Sequence, residues 1–162
     1  MGCSSAMLPL EPGQRPGLHA LAPGSGTAPG DHSARADKTA RRRLLVVEDE
    51  WIAAALIEAI LSDAGYVVVG TASDGDEALR LARETRPDLV LMDILLRGGS
   101  DGVAAATAIH DRLGIRCIYV TAHSDAGTLI RGSAARPVGW VHKPFTEQSL
   151  LHAVRRAFED AS

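Results

Sequence analysis

From residue 44 to residue 158 the chain repeats one pattern five times: a short apolar run, then a longer stretch with apolar residues at helical spacing. The runs lie at 44–47, 66–69, 89–92, 115–120 and 138–142. Each has the length of a strand, and the near absence of polar alternation means that both faces of each strand are covered. After the first run, Ile52, Leu56, Ile57, Ile60 and Leu61 form a helical stripe that Gly65 stops. Asp74 with Glu77 three residues on reads as a helix cap, opening a helix through Ala78, Leu81 and Ala82 that ends before Pro87. Further helices are expected over 103–113, 146–158 and, more weakly patterned, 125–134. Five strand–helix pairs predict a parallel sheet with helices on both faces, because parallel neighbours are joined by crossovers that pack over the sheet. In such sheets ligands bind at the carboxyl ends of the strands.

Residues 1–42 are of a different kind. They hold five of the eight prolines and six of the sixteen glycines without apolar periodicity, so they are expected to be a disordered leader ahead of a single domain over 43–162. Charge divides at the same place. Residues 1–43 carry six basic and three acidic side chains, whereas eleven basic and seventeen acidic follow. An acidic body disfavours direct DNA binding, which rests on neutralising phosphates with Lys and Arg. The cluster Arg41, Arg42 and Arg43 reads as a solvated boundary. No apolar stretch approaches the roughly 20 residues of a membrane span. Cys3 and Cys117 form neither a disulfide framework nor a zinc spacing. The N-terminus offers no secretory h-region and has Ala6 where a myristoylation signal wants Ser or Thr. A soluble protein of the cytoplasm is therefore expected.

The chemistry lies at the strand ends. Glu48 and Asp49 follow the first run, Asp93 the third, Thr121 the fourth and Lys143 the fifth. A lone acid in such a place is usually a helix cap. Three carboxylates, a hydroxyl and an ammonium converging on one edge are a site. Gathered carboxylates repel one another unless a hard cation sits among them, and magnesium suits this set because it keeps waters and an open face for a phosphoryl group. The first loop reads Glu48-Asp49-Glu50-Trp51, without glycine, so a dinucleotide pyrophosphate would meet negative charge there; no Walker sequence occurs. Lys143 is the only lysine after Lys38, and arginine supplies fifteen of the seventeen basic residues. A compact ammonium at this one place points to a role that a planar guanidinium would not fill.

With these residues in view, 44 to about 160 resembles a receiver domain of the two-component response-regulator family. The resemblance is carried by Val47-Glu48-Asp49-Glu50, Asp88-Leu89-Val90-Leu91-Met92-Asp93, Val120-Thr121-Ala122-His123 and Trp140-Val141-His142-Lys143-Pro144-Phe145. It implies a flavodoxin-like sheet in the order 2-1-3-4-5. Asp93 would be the phosphoacceptor, taking its phosphoryl group from a histidine kinase or histidine phosphotransfer protein. Mg2+ would be held directly by Asp49 and Asp93, through water by Glu48, and by the Leu95 backbone carbonyl. Thr121 would hydrogen-bond the phosphoryl group, Lys143 would pair with it, and Trp140 would be the switch aromatic, its indole mostly facing solvent. Leu95 and His123 would flank the path of attacking water. A downstream target, or a second copy in a homodimer, would meet the face made by the fourth helix, fifth strand and fifth helix.

Three departures from the family pattern stand out. Glu48 replaces the common Asp, the loop after Asp93 lacks the usual proline and is one residue longer, and Trp140 is bulkier than Tyr or Phe. A phosphatase of the haloacid-dehalogenase type would need a second Asp at position 95, where Leu95 stands, so the protein is not expected to be an enzyme beyond its own phosphotransfer and slow autodephosphorylation. A pseudo-receiver that binds partners without phosphorylation would tolerate loss of the acids or the lysine, yet all are present. Nothing after Phe158 has the length of an output domain, so a stand-alone receiver is expected.

Overall fold

A computed structural model describes residues 42–122 and 126–160. The leader expected over 1–42 falls, except for Arg42, outside the described residues, as do Cys3 and His123.

Five strands form one parallel sheet: β1 (Arg43–Val47), β2 (Val67–Ala72), β3 (Leu89–Met92), β4 (Arg116–Thr121) and β5 (Gly139–His142). Their order is β2-β1-β3-β4-β5, the expected flavodoxin-like arrangement. The crossovers are α1 (Trp51–Asp63), α2 (Gly75–Thr85), α3 (Gly102–Leu113) and α4 (Ala126–Gly132), and α5 (Glu147–Glu159) closes the domain. Short 3-10 turns lie at Arg97–Gly99 and Ser133–Ala135.

Continuous apolar strands have a direct consequence here. Alternate residues of β1 point to opposite faces, so Leu44 and Val46 join one core and Leu45 and Val47 the other. The first core gathers Leu89, Leu91, Ile118 and Val120 under Ile57 and Leu61 of α1 and Leu150 and Val154 of α5. The second gathers Val90, Met92, Cys117 and Tyr119 under Ala78 and Ala82 of α2 and Val103, Ala106 and Ile109 of α3. Burial pushes the Cys117 thiol up to about 12, which keeps it an inert packing group.

Side-chain caps set several boundaries. Asp74 accepts the Glu77 amide at 2.8 Å, the cap that the sequence predicts, and Glu77 reaches past the cap residue to the Ser73 amide at 2.9 Å. Thr146 and Ser149 form a reciprocal capping box on α5, and Asp101 caps α3 by accepting the Val103 amide at 2.9 Å. The second strand departs from expectation. It runs Val67–Ala72 rather than 66–69, with a register shift opposite Leu44 and Leu45. Gly70 and Thr71 interrupt the apolar run but keep their backbone pairing, and Leu81 packs over the space that the missing Gly70 side chain leaves. Tyr66 precedes the strand and is buried beside Phe158, their ring centroids 6.2 Å apart.

Candidate functional site

Because the strands are parallel, every residue that follows one emerges at the same edge of the sheet. Glu48 and Asp49 leave β1, and the backbone holds them in register: the Glu48 amide donates to the Ala72 carbonyl and the Asp93 amide to the Val47 carbonyl, both at 2.9 Å. Glu48, Asp49 and Asp93 each place a carboxylate oxygen within 4.8 Å of the others. Lys143 arrives from β5, where its amide donates to the Thr121 carbonyl at 2.9 Å. Its Nζ donates to Glu48 Oε2 at 2.6 Å and to Asp93 Oδ2 at 2.7 Å. The remaining oxygens are also engaged, Glu48 Oε1 by the Glu50 amide at 3.2 Å and Asp93 Oδ1 by the Leu95 amide at 3.1 Å.

These groups line an open cleft of about 200 Å³ together with Glu50, Leu95 and Ala122. Glu48 and Asp93 are buried, and Asp49 is partly exposed. Burial raises the Glu48 carboxyl above its ordinary 4.5, with the Asp93 charge acting in the same direction and Lys143 against it. Burial would lower the Lys143 ammonium, but its hydrogen bonds to Asp93 and Glu48 prevail and raise it above 10.5. The two shifts differ in origin: loss of solvation dominates at Glu48, and hydrogen bonding to carboxylates dominates at Lys143.

The loop after Asp93 is held by close backbone approach. Gly102 donates its amide to the Ile94 carbonyl at 3.0 Å, and a Cβ on it would collide with the Asp93 carbonyl oxygen. Leu95 and Asp101 form an isolated antiparallel bridge across the longer loop. Thus the structure brings together Glu48, Asp49, Asp93, Leu95 and Lys143, while Thr121, fully buried as the last residue of β4, stands next to the cleft-lining Ala122. Sequence reasoning missed Glu50 and Ala122 as lining residues. The Glu-Asp-Glu run signalled the first; an alanine carries no chemical signal. It also missed that Lys143 binds Glu48.

Trp140 corrects another expectation. Its indole does not mostly face solvent; it is half-buried, its ring 4.8 Å from that of Tyr119 at 41°. Gly132 of α4 makes room for it, since a Cβ there would lie 2.5 Å from Trp140 Cη2.

The family model described as the response regulator receiver domain matches residues 44–155. The chain belongs to that family. This receiver domain is 34% identical over 122 residues to the transcriptional regulatory protein PdtaR of Mycobacterium tuberculosis, covering 75% of this chain and 59% of that protein. It is 34% identical over 119 residues to the DNA-binding response regulator MtrA of Mycolicibacterium smegmatis, covering 72% of this chain and 50% of that one. The chain therefore spans between a half and three-fifths of the length of these curated relatives. Among solved structures it is similar to the signal receiver domain of a modulated diguanylate cyclase from Desulfovibrio desulfuricans, with 34% identity and a TM-score of 0.68 over 73% of this chain and 94% of that one. The receiver domain places the protein in two-component signalling, and no helix among the described residues is long and apolar enough to cross a membrane.

Proposed function

We propose that this protein is a response regulator of the cytoplasm that accepts a phosphoryl group on Asp93 in a Mg2+-dependent reaction and thereby changes its protein-binding surface. The observation that carries the reading is the Lys143 ammonium bonded to Asp93 inside a cluster of three carboxylates. The donor set fits magnesium: hard carboxylate oxygens from two strand ends, gathered within 4.8 Å, beside an open cleft. Asp49 and Asp93, the Leu95 carbonyl and, through water, Glu48 are the groups that would hold it. When bound, the ion would offset negative charge on the phosphoryl oxygens.

In the transfer, an Asp93 carboxylate oxygen attacks phosphorus, the phosphorus–nitrogen bond of a phosphohistidine breaks, and the freed imidazole nitrogen takes a proton from water. The Leu95 amide orients the carboxylate by donating to Oδ1. Lys143 already lies beside the acceptor and supplies a cation for the new phosphoryl oxygens, while the Thr121 hydroxyl supplies a hydrogen bond. The donor is a histidine kinase or histidine phosphotransfer protein. Trp140 transmits the change to the face of α4, β5 and α5, where a downstream target or a second copy binds. Leu95, half exposed and aliphatic, provides no acid or base to activate water, which supports a lasting phosphoaspartate rather than phosphatase turnover. His123 is the remaining candidate for orienting that water.

The test is phosphorylation by acetyl phosphate with magnesium. One phosphoryl group is expected on the wild type, none on Asp93→Asn and none in excess chelator. Equal labelling of the variant, or full labelling without divalent metal, overturns the assignment.

A further inference from the structure

Glu48 lies just past β1 and Lys143 just past β5, with β3 and β4 between the two strands. At sheet spacing that is a separation of roughly 14 Å between strand axes. Even so, Lys143 Nζ lies 2.6 Å from Glu48 Oε2 and 2.7 Å from Asp93 Oδ2, within hydrogen-bond distance of both. Long side chains on both sides close the gap, and a first acid shortened to Asp would reach about 1.5 Å less far. The Glu48 side chain is 2% exposed, and each of its oxygens already has a donor, Lys143 on one and the Glu50 amide on the other. Asp49, the next residue, is more exposed.

We infer that Glu48 is the positioning residue for Lys143, and that the metal affinity of the cluster rests mainly on Asp49 and Asp93. The inference builds on the phosphoryl-transfer reading above and divides the labour within it. Magnesium is commonly held by one or two carboxylates and keeps several waters, so it does not require the third acid. A lysine that serves the phosphoryl group does require one. Once Asp93 is esterified, the oxygen that carried its charge is bound to phosphorus and no longer anchors the ammonium as a carboxylate would. Glu48 takes no part in the bond change, so it keeps Lys143 beside the acceptor through the transfer. Glutamate at position 48 thus answers to the lysine on the far strand more than to the ion.

Composition makes the test direct, because Lys38 and Lys143 are the only lysines. Lysine labelled with 15N at Nζ gives at most two ammonium signals, and the one lost in Lys143→Met belongs to Lys143. In the wild type it should exchange slowly with water, as its side chain is 20% exposed and doubly hydrogen-bonded. Glu48→Gln should shift or broaden it, whereas Asp49→Asn and Asp93→Asn should leave it visible. In calorimetry with Mg2+ alone, Asp49→Asn should weaken binding by at least about tenfold and Glu48→Gln by clearly less. An unchanged ammonium signal in Glu48→Gln, its loss in Asp93→Asn, or a metal defect in Glu48→Gln as large as in Asp49→Asn would overturn the inference. If the wild type binds no Mg2+, the metal reading above fails by itself, and the ammonium spectra still decide what holds Lys143.

Discussion

Helices α4 and α5 lie on either side of β5 in the chain and are built on opposite terms. Helix α5 has thirteen residues, a reciprocal capping box, and Leu150, Leu151, Val154 and Ala157 buried in one core. Helix α4 has seven residues, and its large apolar side chains Leu129 and Ile130 are 37% and 72% exposed. Among the described residues of α4, Thr128 is buried, Gly132 lies under the Trp140 ring, and Arg131 pairs with Asp101 at 3.7 Å, both of these charged side chains partly exposed. Exposed pairs of this kind stabilise little. Stability is therefore distributed unevenly across the face proposed for partner binding: α5 is frame, and α4 belongs to the low-stability regions that local opening draws on. A switch needs both, one element to hold still and one with a second position close in free energy.

Four substitutions test that contrast, in descending order of effect. Leu150→Ala removes a fully buried side chain from α5 and should cost about 3 kcal/mol in chemical denaturation; a loss below about 1 kcal/mol would deny α5 its role as frame. Gly132→Ala brings a methyl group against the Trp140 ring. It should cost about 2 kcal/mol and, in a Trp51→Phe background, make Trp140 more accessible to a soluble quencher. If accessibility stays the same, α4 and Trp140 are not coupled through this contact. Thr146→Ala deletes the α5 cap at a cost of about 1 kcal/mol, read as faster amide hydrogen exchange in the first turn of α5 and not in α4. Arg131→Ala should change stability by less than about 0.5 kcal/mol. A larger loss would show that the Asp101 pair, and through it the loop after Asp93, restrains α4 more firmly than its exposure suggests.

Most of this fold was legible in the chain because the strands are buried on both faces. The run at 89–92 coincides with β3, and the caps at Asp74 and Thr146 start helices where expected. Misreadings arose where local pattern and tertiary packing part. The second strand extends through Gly70 and Thr71, residues that read as a break, because pairing with β1 and cover from Leu81 need no side chain at Gly70. The indole of Trp140, expected to face mostly solvent as a switch aromatic, is half-buried. The glycine that receives it comes from another element.

Of the site, residue types and strand-end positions were readable, since a parallel sheet delivers the residues after its strands to one edge whatever the details of packing. Distances were not. That Lys143 bonds Glu48 across two intervening strands depends on the twist of the sheet, the reach of both side chains and the burial that leaves the ammonium few other partners, none of which is a local property. The sequence by itself determined the class of fold and the residue types gathered at its edge. Only the tertiary structure decided which two carboxylates bond the lysine and which glycine makes room for the aromatic ring, because these are contacts between elements far apart in the chain.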